Sequence, residues 1–239
     1  MTPLVLLLLL PLAPTLEEAD RLAAEARALE KGPKKVRAVD AALAAYAAIL
    51  ADRPKDLKLV PRLRRRRAAL LKHAGRPRAA LAEYDAVVAG RGRRKDKARA
   101  LYDGARLLER ASDYGGAEKR LRRAIDDYGD VVRARAKAAF LLGRVLEKMA
   151  RPGEAERAYR YVVTRCRDEA EPTIAAYDAL ALLAIRQEKP RVARRWLRKC
   201  FARYEKRATR GDRYGAFVSR LLGAMKAPAA LLGAGATSK

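Results

Sequence analysis

The sequence predicts an all-α chain of about five antiparallel helical hairpins, repeating every 38 residues or so and closed by a C-terminal capping helix. Two observations carry this. First, GRPRAALAEYDAVV, from Gly75, returns 75 residues later as ARPGEAERAYRYVV, from Ala150. Second, a triplet of a small residue, an aromatic or Leu four later and an apolar or small residue three after that recurs along the chain. It reads Ala42-Tyr46-Ile49, Ala80-Tyr84-Val87, Ala117-Leu121-Ala124, Ala155-Tyr159-Val162 and Ala193-Leu197-Cys200, the alanines spaced 38, 37, 38 and 38. Steps of four and three put each triplet on one helical stripe. Composition agrees: alanine is abundant, aromatics make up only 6% and asparagine is absent, a palette of packed helices.

Each unit also has a first helix. Twelve residues before four of the anchor alanines stand Ala68, Ala105, Gly143 and Ala181, followed three later by Leu71, Leu108, Leu146 and Ala184. Small residues on both helices let the two backbones approach closely, and the aromatic fills the space toward the next hairpin. One hairpin cannot bury both of its faces, so units must stack. Turns are expected near residues 32, 75, 113, 152 and 189. Pro77, Pro152 and Pro190, each three residues before an anchor alanine, suit the first turn of a helix. In the first unit Glu30 stands where a small residue belongs, so that hairpin is degenerate or shifted by the loop Lys31-Gly-Pro-Lys-Lys.

Small-x11-small followed by an aromatic resembles the tetratricopeptide repeat, most closely in LLGRVLEKMARPGEAERAYRYVV, from Leu141 to Val163. The family repeats every ~34 residues, so the connectors here are longer. The resemblance covers Pro61 to Tyr204, with a looser first unit from Leu16 to Pro54. It implies a right-handed α-solenoid over residues 16–206, with repeats near 16–54, 61–90, 98–129, 136–167 and 173–205. It further implies that first helices line a groove in which partners lie as extended segments. Carried over residue by residue, that groove holds Arg62, Arg65, Lys72 and His73, then Arg99, Tyr102, Arg106 and Arg110, then Lys137, Phe140, Arg144 and Lys148. The last unit adds Ala175, Asp178, Leu182, Ile185 and Arg186. The partner-binding set is thus Arg65, Lys72, Arg99, Tyr102, Arg106, Arg110, Lys137, Phe140, Arg144 and Lys148. It is similar in charge to the family's carboxylate clamps but lacks their asparagines.

The ends differ from the repeats. Residues 1–15, MTPLVLLLLLPLAPT, carry no charged side chain, and the apolar run from Leu4 to Ala13 has the length of a secretory signal core. It is too short to span a bilayer. It predicts export, to the periplasm or outside the cell, with an uncleaved anchor or a misassigned start as alternatives; without the signal the chain would be cytoplasmic. Residues 207–226 place Tyr214, Phe217, Val218, Leu221, Leu222 and Met225 on one face, as a capping helix would, and residues 227–239 read as a flexible tail.

Chemistry is sparse. His73 is the lone histidine, and Cys166 and Cys200 are 34 apart. That pattern offers no catalytic triad and no metal site. The two cysteines suit either a single bridge or two small buried side chains. Phosphate-loop motifs are missing, and Gly90-Arg-Gly-Arg-Arg-Lys follows a helix rather than a strand. We expect no enzyme activity, no cofactor and no small-molecule substrate. The 54 Lys and Arg against 28 Asp and Glu, a net charge of +26, favour an acidic protein or peptide segment as partner. The runs Arg64–Arg67 and Arg91–Lys97 make an anionic polymer or nucleic acid the second class.

Overall fold

The computed structural model describes residues 14–208, with side chains described through Tyr204. Among these residues all regular structure is helical: α1 Leu16–Ala28, α2 Pro33–Asp52, α3 Leu59–His73, α4 Pro77–Ala89, α5 Arg94–Arg110, α6 Tyr114–Asp126, α7 Val132–Lys148, α8 Pro152–Arg165, α9 Ala170–Arg186 and α10 Pro190–Ala208. The proposed signal segment, the capping helix beyond residue 208 and the tail lie outside the described residues; residues 207 and 208 belong to α10.

Proline and a left-handed turn residue set the helix boundaries. Pro33, Pro77, Pro152 and Pro190 each open the second helix of a pair, where the missing N–H has no partner to lose. In the four later hairpins the first helix closes in one repeated way. Gly75, Ser112, Ala150 and Glu188 have φ of 74°, 60°, 55° and 58°. The next residue's N–H reaches five residues back, from Arg76 to the carbonyl of Leu71 (2.8 Å), Asp113 to Leu108 (3.0 Å), Arg151 to Leu146 (2.9 Å) and Lys189 to Ala184 (2.8 Å). These are Schellman turns, which satisfy carbonyls the helix end would leave bare. Only the first uses the glycine that the left-handed region favours.

The chain packs as two compact units whose boundary, between Leu107 and Leu108, falls inside α5. In the first unit α1 packs on α2 and α3, α2 on α3, and α3 on α4. In the second, α6 packs on α7, α7 on α8 and α9, α8 on α9, and α9 on α10. The repeat stripe is the core. Ala42, Ala80, Ala117 and Ala155 are fully buried, as are Ala68 and Ala105, and Tyr46, Tyr84, Leu121 and Tyr159 are nearly so.

The first hairpin solves the Glu30 mismatch by moving its turn. Helix α1 ends at Ala28, and Glu30 lies exposed in the connector. Ala19, Ala23 and Ala26, at helical spacing, supply the small face against Val39, Ala42 and Tyr46. Helix α2 starts nine residues before Ala42 and runs 20 residues, against 13 or 14 for α4, α6 and α8.

Two substitutions test this account. A Cβ added at Gly143 would lie 2.7 Å from Cδ1 and Cζ of Tyr159, well inside contact distance. Gly143→Ala should therefore lower the urea midpoint, because overpacking of about 1–3 kcal/mol outweighs the ~1 kcal/mol that alanine gains over glycine in a helix. Ala150→Gly, at the exposed left-handed turn, should raise stability by about 1 kcal/mol by removing the Cβ penalty. Opposite shifts would mean that neither the close approach nor the turn conformation is stabilising.

Candidate functional site

Helix α7 buries Ala136, Ala139, Gly143, Val145 and Leu146. The residues left on another stripe are Lys137, Phe140, Arg144 and Lys148, at steps of three, four and four. One period later α9 repeats the geometry with Ala175, Asp178, Leu182 and Arg186. All of these except Lys137 line a single open cleft of about 430 Å³ in the second unit. Its apolar part is Phe140, Tyr159, Ala175, Ala179 and Leu182. Phe140 and Tyr159 meet ring to ring at 5.7 Å, and Leu182 stays 44% exposed. The rim carries Arg144, Lys148 and Arg186 beside Glu147 and Asp178. The size and the mixture suit a ligand side chain held by apolar contact with a few polar groups around it.

The rim cations are largely matched. Arg144 pairs with Glu109 at 2.7 Å and Arg186 with Glu147 at 2.7 Å, and Lys137, outside the cleft, pairs with Glu171 at 3.2 Å. Glu147 also accepts the Tyr159 hydroxyl at 2.6 Å, fixing the ring that floors the cleft. Lys148 and Arg110 are exposed. The acids that complete the site, Glu109 and Glu147, escaped the sequence reading, and Tyr159 was assigned there to the core alone. A signal existed: Glu109–Arg144 and Glu147–Arg186 each join residues about one repeat apart, the separation at which stacked first helices meet.

In the first unit the expected groove residues are engaged differently. Asp103 receives Arg65 at 3.6 Å and Arg99 at 3.9 Å. Arg65 is only 18% exposed at its side chain, and burial, then the nearby Arg99 charge, lowers its pKa. Arg106 sits over the Tyr102 ring at 5.8 Å, and Lys72 is exposed. The Arg64–Arg67 run is also drawn inward. Arg64 and Arg67 share Glu83, each at 3.2 Å, Arg65 takes Asp103 and Arg66 takes Asp20. Four consecutive arginines thus hold the first unit together rather than facing solvent as one cationic strip.

Cys166 and Cys200 are free thiols, each buried, so the bridge considered from sequence is absent. Burial pushes the Cys200 thiol up to about 12. It fills the third place of its triplet, where Val162 stands one repeat earlier. No grouping of His, Cys, Asp and Glu among the described residues could hold a metal ion.

Hairpins closed by small-residue contacts, with a stripe of exposed side chains along successive first helices, have solved counterparts. Crystal structures of MamA share this fold. One is 22% identical, with a TM-score of 0.53, over 75% of this chain and 98% of that one. A second is 19% identical, with a TM-score of 0.52, over 81% and 97%. No family model matches the chain, and no curated protein matches it.

The buried tyrosines make a pH prediction. Burial, then hydrogen bonds to Glu147 and Asp20, raise the Tyr159 and Tyr46 hydroxyls well above the ordinary phenol range. A folded pKa above the unfolded one stabilises the protonated form, so this contribution is complete below pH ~10 and is lost as pH rises beyond it. The urea midpoint should fall above pH ~10, and Tyr159→Phe should flatten that fall. An unchanged slope in the variant would show that Tyr159 is not the titrating group.

Proposed function

We propose that the chain is a non-enzymatic protein-interaction scaffold that docks an extended acidic segment, anchored by one apolar side chain, in the α7–α9 cleft. The carrying observation is the pairing of an exposed apolar floor, Leu182 with Phe140 and Tyr159, with the rim cations Arg144, Lys148 and Arg186. The fold shared with MamA supports the class, since hairpin repeats of this kind bind through the open face of stacked first helices. Arg144 and Arg186 already hold carboxylates, so a partner's acids would exchange with Glu109 and Glu147 rather than neutralise bare charges. Such exchange is nearly balanced in energy and serves register and encounter rate. Affinity then comes chiefly from desolvating the apolar anchor.

The test uses a labelled peptide of Asp and Glu with one central Phe, followed by fluorescence anisotropy. Leu182→Ala should weaken binding by about four- to fifteenfold, the worth of roughly one to two buried methylenes. Replacing the peptide's Phe by Ala should lose a comparable amount. Arg144→Glu should also weaken it, whereas the triple reversal Lys119→Glu/Arg133→Glu/Arg165→Glu, on exposed positions elsewhere in the second unit, should have a smaller effect. Binding that ignores Leu182 and follows total charge alone would overturn the reading.

A further inference from the structure

Helix α10 buries one face and leaves the other mostly cationic, with Val192 and Ala202 its exposed apolar members. Ala193, Trp196 and Leu197 pack against Ala181 and Ala184 of α9, and Cys200 and Tyr204 are buried as well. Outward, Arg191, Arg194, Arg195, Arg198 and Lys199 surround a shallow groove of about 460 Å³ whose one apolar member is Ala202. No carboxylate pairs with any of these five among the described residues. The contrast with Arg64–Arg67, where every guanidinium has an acid, is complete.

We propose that this face of α10 binds the phosphate backbone of a nucleic-acid duplex. Arg191 to Arg198 spans about 10 Å of helix at 1.5 Å per residue, a length over which a duplex presents roughly six phosphates. Four of the five cations are arginine, whose planar fork takes phosphate oxygens in bidentate fashion. The face lacks the apolar centre that a folded protein partner would need to bury. An anionic bilayer is disfavoured because the apolar side of α10 is committed to α9. Trp196, the aromatic that could insert or stack, lies beneath Lys199 at 5.0 Å and Arg160 at 5.6 Å. Backbone contact to a duplex needs neither insertion nor stacking. Residues 209–239 add little acid of their own, with Asp212 against Arg210, Arg213, Arg220, Lys226 and Lys239.

The experiment is anisotropy of a short labelled DNA duplex with the full chain, titrated at several salt concentrations. Arg194→Gln/Arg195→Gln/Arg198→Gln should weaken binding about tenfold or more near 100 mM salt, and should reduce the log–log salt slope by about 3. Its thermal melting should be unchanged, because exposed charges add little to folding. The conservative Arg194→Lys/Arg195→Lys/Arg198→Lys variant should keep the salt slope while binding more weakly, which separates lost phosphate contacts from lost structure. The triple reversal at Lys119, Arg133 and Arg165, despite its larger change in net charge, should change the slope less. Leu182→Ala should leave duplex binding intact, so failure here and failure of the peptide cleft are told apart. Equal losses in the α10 glutamine triple and the control would overturn the proposal. So would an α10 triple that still binds duplex but no longer binds vesicles containing anionic lipid, or an all-Glu peptide.

Discussion

The structure depends on how closely two helices can approach. At Gly143 the backbone of α7 lies against the Tyr159 ring of α8 with no room for a methyl group. The same ring is held by Glu147 and packs on Phe140. One contact therefore closes the hairpin, orients the aromatic and floors the open cleft. The fully buried alanines of the other repeats occupy equivalent positions. Alanine contributes little apolar area of its own, so stability comes from the larger residues that close approach lets interlock.

Charge is arranged around that frame rather than spread evenly over it. A net +26 would strain a compact chain by self-repulsion if its carboxylates were scattered. Instead the few acids are shared. Glu83 and Asp103 each take two arginines, and Glu118 and Glu154 bind Arg122 and Arg151 in a closed foursome. Burial opposes ionisation of Glu118, but hydrogen bonds from Arg122 and Arg151 outweigh it and hold its pKa low. Arg191, Arg194, Arg195, Arg198 and Lys199 of α10 stand outside this sharing, in contrast to Arg64–Arg67.

The repeat made most of the fold legible. The anchor triplets gave helix faces, and the prolines gave helix starts. The close-packed positions followed because a 3.6-residue periodicity leaves few alternatives. The first hairpin was only partly legible, since its compensation, three alanines one turn earlier and a longer α2, breaks the period that made the others readable. The left-handed turns at Ser112, Ala150 and Glu188 were hidden, because those residue types do not advertise positive φ as Gly75 does. In the second unit the cleft's lining was readable up to its chemistry. Phe140 and Arg144 could be placed on one helical stripe and Leu182 on the corresponding stripe one repeat later, while the acids that pair with the rim could not.

By itself the sequence determined that the chain is helical, which faces of the regular repeats are buried and how often the pattern recurs. These follow from local spacing and side-chain size. Tertiary structure alone decided which cations are available. Arg65 and Arg195 are the same residue type in similarly basic neighbourhoods, yet one is folded in beside Asp103 and the other stands open on α10. Ion pairing depends on distances across a full repeat, and those distances exist only once the hairpins have packed.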